Sequence, residues 1–210
     1  YPIFLVENAK LWDQIEEGQI TRDQLRKIRF EIMFEKWQIS DHPDSEFEAY
    51  FSKQLHSYAH PMPNALQVLQ TLVQQNYPLY IVSNGPAKGQ RNRLQKAGML
   101  ELFKHVFTSE ELGYEKPNVQ FFEQALLQVR IDQDDPTICP SQILVIGDSW
   151  KADICGSLAF GSQSIWFRRN REFDPFEHPD EPSVLEAYNW NEVMEMISST
   201  FTSPISQSNE

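Results

Sequence analysis

Three short stretches hold the side chains best able to do chemistry: Ser83-Asn84-Gly85, Lys116, and Asp148 with Asp153 five residues on. The two carboxylates follow an apolar run at 143–146, long enough for a buried strand and too short for a helix, which Gly147 ends. In open parallel α/β sheets, ligands bind at the carboxyl rim of such strands. Two acids at one edge repel unless something positive holds them, usually a divalent cation. Ser83-Asn84-Gly85 ends a second apolar run, 78–83, and offers a hydroxyl, a carboxamide and a backbone free to turn. The chemistry that suits this set is phosphoryl transfer. Ser83, Asn84 and Gly85 hold phosphate oxygens, and Lys116 neutralises charge on the transferring group and on a neighbouring carboxylate. Asp148 ligates Mg²⁺, and Asp153 is a further ligand or orients a metal-bound water. Singly each feature is ordinary: Ser-Asn-Gly is common turn chemistry, loop lysines are solvated, and an aspartate after a strand often caps a helix. Their order and placement together give them weight.

The elements that must position them read as a helical unit followed by an α/β domain. Residues 11–58 show helical spacing and no strand signal. Thr21 with Gln24 has the form of a capping box, and Leu25, Ile28, Ile32 and then Phe34 or Trp37 recur along one face. A further helix from about residue 45 carries Phe47, Tyr50, Phe51 and Leu55. The aromatics Trp12, Phe30, Phe34 and Trp37 are read as packing, some bordering a substrate cleft. After the rigid His60-Pro61-Met62-Pro63, Asn64 caps an amphipathic helix carrying Leu66, Leu69, Leu72 and Val73. Strands at 78–83, 103–108, 143–146 and 164–167 then alternate with helices, one starting at Asn118 and others closed by Gly98 and Gly161. The segment 184–197 reads as part helical. The alternation predicts a doubly wound parallel sheet with right-handed crossovers. The predicted organisation is an α-helical domain over 1–60, an α/β core over 61–200 and a disordered tail over 201–210.

Composition narrows the partners. A net charge of −12 argues against nucleic-acid polymers and anionic membranes. No apolar run reaches membrane-spanning length. The cysteines Cys139 and Cys155 lack metal spacing, which suggests a reducing, cytoplasmic setting. There is no Gly-x-Gly-x-x-Gly or P-loop to hold a dinucleotide or a nucleoside triphosphate.

Ser83-Asn84-Gly85, Lys116-Pro117 and Gly147-Asp148-Ser149 with Asp153 resemble motifs II, III and IV of the haloacid dehalogenase-like (HAD) hydrolases. Ala97-Gly98-Met99, Phe103, Ser109-Glu110 and Leu112-Gly113 fit the same pattern, so the resemblance covers 63–167. The first quarter resembles that family's small α-helical cap. Its Leu11-Trp12, Gly18-Gln19-Ile20-Thr21 and Arg29-Phe30-Glu31 are similar to the branch containing pyrimidine nucleotidases. The resemblance implies a Rossmann-like core and a small phosphorylated substrate such as a nucleoside monophosphate. Ser83 would then bind phosphate, Lys116 would stabilise nucleophile and phosphoryl charge, and Asp148 would bind Mg²⁺. It also implies an Asp-x-Asp motif I at the end of a central first strand. One Asp of that motif forms an aspartyl-phosphate, and the other is the general acid/base.

No such motif is found. Asp132-Gln133-Asp134 has the letters without a preceding strand, and Asp41 and Asp44 fail for the same reason. In the family the missing strand lies between those carrying Ser83 and Asp148. The expectation is therefore a piece of a longer enzyme, inactive as these 210 residues alone. Haloacid dehalogenation is the rival chemistry, but it needs no metal and does not call for Gly147-Asp148. A receiver domain would place its acid pair before its lysine. A catalytically inactive binding protein is the third alternative.

Overall fold

The computed structural model describes residues 2–200 apart from 42, 44 and 170, without the side chains of 45, 55–57 and 171. The expected tail over 201–210, Asp44 and the Leu55 side chain lie outside the described residues. The chain divides into two compact units, Tyr1–Tyr58 with Asn170–Pro179, and Ala59–Arg169 with Asp180–Glu210.

The first unit contains α1 (Pro2–Glu16), α2 (Arg22–Lys36) and α3 (Ser45–Ser57). Helix α1 begins well before residue 11, where the helical pattern was expected to start. Proline is tolerated in the first helical turn, where its missing N–H has no intrahelical partner to lose. The capping box on α2 is present: Gln24 N donates to Thr21 Oγ1 (3.2 Å) and Thr21 N to Gln24 Oε1 (2.8 Å). The buried face of α2 is Leu25, Arg29, Phe30 and Met33, whereas Ile28 and Ile32 are half-buried. The buried Arg29 pairs with Glu48 and lies 4.7 Å from the Phe51 ring centroid. Phe30 meets Phe47 and Phe51 edge-on at 4.8 and 4.9 Å, so these aromatics pack on one another.

The second unit alternates helix and strand: α4 (Ala65–Gln74), β1 (Tyr80–Ser83), α5 (Ala87–Lys96), β2 (His105–Thr108), α6 (Ser109–Leu112) and α7 (Val119–Asp132). Then come β3 (Leu144–Gly147), a π-helical segment Trp150–Cys155, α8 (Gly156–Phe160), β4 (Gln163–Phe167), β5 (Val184–Ala187) and α9 (Trp190–Thr200). Every strand pairing is parallel, as the alternation predicts, but the strands form two sheets, β1-β2 and β3-β4-β5. The outer edges of β1 and β3 have no strand partner among the described residues.

The same helices nevertheless cover both sheets. Tyr80, Val82, Phe107 and Val145 pack on Phe121, Phe122 and Ala125 of α7. On the other face, Leu79, Leu144, Ile146, Ile165 and Phe167 pack on Val68 and Leu72 of α4 and Val193 and Ile197 of α9. Successive residues of β3 thus point to opposite faces, the period of a doubly wound layer.

One expectation needs correcting, and another, the part-helical 184–197 segment, holds through α9 with a strand ahead of it. Asn64 occupies the N-cap position of α4 but makes no capping bond. It sits at φ 63°, and its amide donates to Asn191 Oδ1 at 3.1 Å. The part-helical segment at 184–197 contains the edge strand β5. Its Val-Leu-Glu-Ala is too short for a period to show, and three of its four residues are good helix formers. No described helix is long and apolar enough to cross a membrane, and neither cysteine is in a disulfide.

Candidate active site at the strand ends

The residues at the carboxyl ends of β1 and β3 are brought together by Lys116. Its ammonium donates to the Val82 carbonyl (3.2 Å) and to the Asp153 carboxylate. Both partners of this ion pair are buried. Lys116 is in turn held by Asn84, whose Oδ1 accepts from Lys116 N (2.8 Å) while its amide donates to Lys116 O (2.9 Å). The carboxamide of Asn84 is thus engaged in bracing the lysine loop, and its backbone N–H is the group left for a ligand.

Ser83 Oγ accepts from Gly85 N at 3.0 Å, which leaves its own hydroxyl hydrogen to point at an anion. Helix α6 pins this loop from below: Ser109 Oγ donates to Asn84 O (3.3 Å), and Glu110 accepts from Ala87 N (2.8 Å). A side chain at Gly85 would run into the amide of Gln90 and meet Ser83 Oγ at 3.2 Å.

Beyond β3 the chain enters a π-helical rather than an α-helical turn, a wider winding common at functional sites. Ser149 caps it, accepting from Ala152 N at 2.9 Å. Asp153 lies inside this turn. One carboxylate oxygen meets Lys116 and the other accepts from Ser149 N at 3.1 Å. Gly147 permits the approach, because any Cβ there would collide with the Asp153 carboxyl. Both oxygens of Asp153 are therefore committed, which suits it to orienting the site more than to direct metal ligation.

Asp148 differs. Its residue is open to solvent at the rim, and no side chain among the described residues bonds or ion-pairs with its carboxylate. Crowding by protein on its other sides, and then the negative charge of Asp153, push its carboxyl above the ordinary range. Arg169 and Lys116 act in the opposite sense. A cation at Asp148 would relieve both upward pressures. Among the described residues no three His, Cys, Asp or Glu side chains gather into a metal cage. That is compatible with Mg²⁺, which keeps several waters and takes one or two carboxylates plus substrate phosphate.

The Asp132-Gln133-Asp134 alternative fails on placement. Asp132 ends the 14-residue α7, whose first turn follows the Lys116 loop, so it lies about 20 Å from the site. Sequence reasoning assigned no role to Ser109, Glu110 or Ser149. The first two fell within the family pattern without a stated purpose. Ser149 carried a usable signal, a serine just ahead of a helical run. Gln90 carried none, since its closeness to Gly85 follows from the tertiary turn alone.

A family model described as haloacid dehalogenase-like hydrolase matches residues 4–161. The pyrimidine 5'-nucleotidase YjjG of Escherichia coli is 30% identical over 168 residues, 80% of this chain and 70% of the relative. The pyrimidine 5'-nucleotidase PynA of Streptococcus pneumoniae is 27% identical over 191 residues, covering 90% of this chain and 76% of that protein. Among solved structures, the magnesium-bound HAD-hydrolase YfnB of Bacillus subtilis superposes with a TM-score of 0.72. It is 26% identical, over 92% of this chain and 80% of that one. The motifs, the parallel α/β architecture and the family match agree: this chain belongs to the haloacid dehalogenase-like hydrolases.

Proposed function

We propose that the chain holds the phosphate- and metal-binding side of a Mg²⁺-dependent phosphomonoester hydrolase. The observation that carries this reading is the single buried ammonium joining Val82 O to Asp153, with the unneutralised Asp148 beside it. A phosphoryl group needs this pattern: donors for its equatorial oxygens, a fixed cation, and a carboxylate free to take a metal.

Ser83 donates its hydroxyl to one phosphoryl oxygen, and the backbone N–H of Asn84 faces another. Lys116 holds its charge toward the transferring group while Asp153 and Asn84 fix its position from both ends. Asp148 would hold Mg²⁺, which would supply neutralisation of the phosphoryl oxygens, and Asp153 would orient its surroundings through Ser149 and Lys116. The nucleophilic carboxylate is not among the described candidates. We place it on a strand contributed by sequence outside these 210 residues, seated between the unpaired edges of β1 and β3. Buried unpaired edges are costly, and such a strand would satisfy both.

The substrate class rests on the relatives. PynA and YjjG are by name pyrimidine 5'-nucleotidases, which supports a nucleoside monophosphate or a similarly small phosphorylated metabolite. In this reading the first unit, with its helices α1 to α3, forms the cap that selects it, and the second unit is the core. The test is hydrolysis by the protein expressed with its upstream coding sequence, with Mg²⁺, against uridine monophosphate and a set of sugar phosphates. Preference for the nucleotide supports the reading, and no phosphate release from any of them ends it. The 210 residues alone are expected to show little turnover, and robust activity would mean another carboxylate serves as nucleophile.

A further inference from the structure

Strand β4 lies beside β3 in parallel register, with Gly147 opposite Trp166. The Trp166 indole reaches one residue beyond the end of β3, and its Nε1 donates to the Asp148 carbonyl at 3.1 Å. That carbonyl belongs to the first residue past the ladder, so it has left the sheet's own hydrogen bonding. The ring itself is fixed. Trp166 is 3% exposed, the Trp150 ring lies 4.6 Å away, and the Arg168 guanidinium sits 4.0 Å from its centroid. Arg168 is anchored by Glu186 at 3.2 Å, which also accepts from the Tyr188 hydroxyl at 2.7 Å.

We propose that Trp166 is a positioning residue for the metal-holding carboxylate: its indole N–H clamps the Asp148 carbonyl and so sets where the Asp148 side chain points. This rests on the reading of Asp148 as the metal-binding residue. Trp166→Phe removes the N–H together with the second ring of the indole, so the clamp itself is read from the labelled Trp166 signal. Partners that orient a metal ligand without touching the metal commonly govern its affinity. The tilted Trp150 ring and the Arg168 guanidinium packed on Trp166 keep the donor from swinging away.

The test uses the protein expressed with its upstream coding sequence and ¹⁵N-labelled tryptophan, the Trp166 indole signal being the one missing from Trp166→Phe. Adding Mg²⁺ should shift the Trp166 signal in the wild type and leave it in place in Asp148→Asn. Mn²⁺ affinity, read from the free-ion electron paramagnetic resonance signal, should fall about tenfold in Trp166→Phe. An unmoved Trp166 signal where Asp148-dependent Mn²⁺ binding is present overturns the proposal, and that measurement needs Trp166→Phe only to assign one signal. Wild-type Mn²⁺ affinity in folded Trp166→Phe overturns it equally. Equal Mn²⁺ binding by wild type and Asp148→Asn overturns instead the metal reading on which it rests, and the proposal with it.

Discussion

Lys116 and Asp153, 37 residues apart in sequence, form an ion pair in which each side chain is 8% exposed. The pair ties the lysine loop to the turn after β3, and the Val82 carbonyl ties the same ammonium to β1. Removing one partner of a buried pair leaves the other charge without compensation. Lys116→Met should therefore destabilise the protein by about 3–5 kcal/mol, read by urea unfolding. Adding Asp153→Asn should recover part of that loss, giving a coupling of about 0.5–3 kcal/mol. Strict additivity of the two changes would show that the pair does not form.

The charge state of Asp148 gives a pH signature. Its carboxyl is pushed up by crowding and by Asp153, so the native state binds that proton more tightly than the unfolded chain does. The associated stability is fully present below the ordinary value of 3.8 and is lost as pH rises through the raised native value. In EDTA, Asp148→Asn should be more stable than wild type at pH 7, with the difference closing toward pH 3.8. Melting temperatures across that range check it, and a constant difference would contradict the shift.

Gly147 and Gly85 are both crowded, with different consequences. A methyl at Gly147 meets the Asp153 carboxyl, which Lys116 and Ser149 hold in place. Gly147→Ala should cost about 1–3 kcal/mol. At Gly85 the obstacle is the far end of the Gln90 side chain, which can turn aside. Gly85→Ala should lie within about 1 kcal/mol of wild type by chemical denaturation. Equal losses in the two variants would mean that Asp153 is not fixed as described.

The α/β alternation and the placement of Ser83 and Asp148 at strand ends were legible in the sequence because buried parallel strands read as apolar runs and their ends as Gly, Ser and Asp. The division of roles was not. Asn84 reads as a phosphate contact, yet its carboxamide braces Lys116 across 32 residues of sequence. Asp153 reads either as a further ligand or as the group orienting a metal-bound water, and only the structure shows both its oxygens engaged by Lys116 and Ser149. Trp166 reads as core, since a periodic pattern reports burial and says nothing of where an indole N–H points. The split of the described strands into two sheets was not legible, because each strand's own pattern is complete and says nothing of which neighbour it pairs with.

The central claim is that Asp148 holds the metal for phosphomonoester hydrolysis. It is tested by p-nitrophenyl phosphate turnover of the protein expressed with its upstream coding sequence, with and without Mg²⁺, in wild type and Asp148→Asn. The account predicts Mg²⁺-dependent turnover in the wild type and a loss on the order of a hundredfold or more in the variant. Unchanged turnover in Asp148→Asn would contradict it.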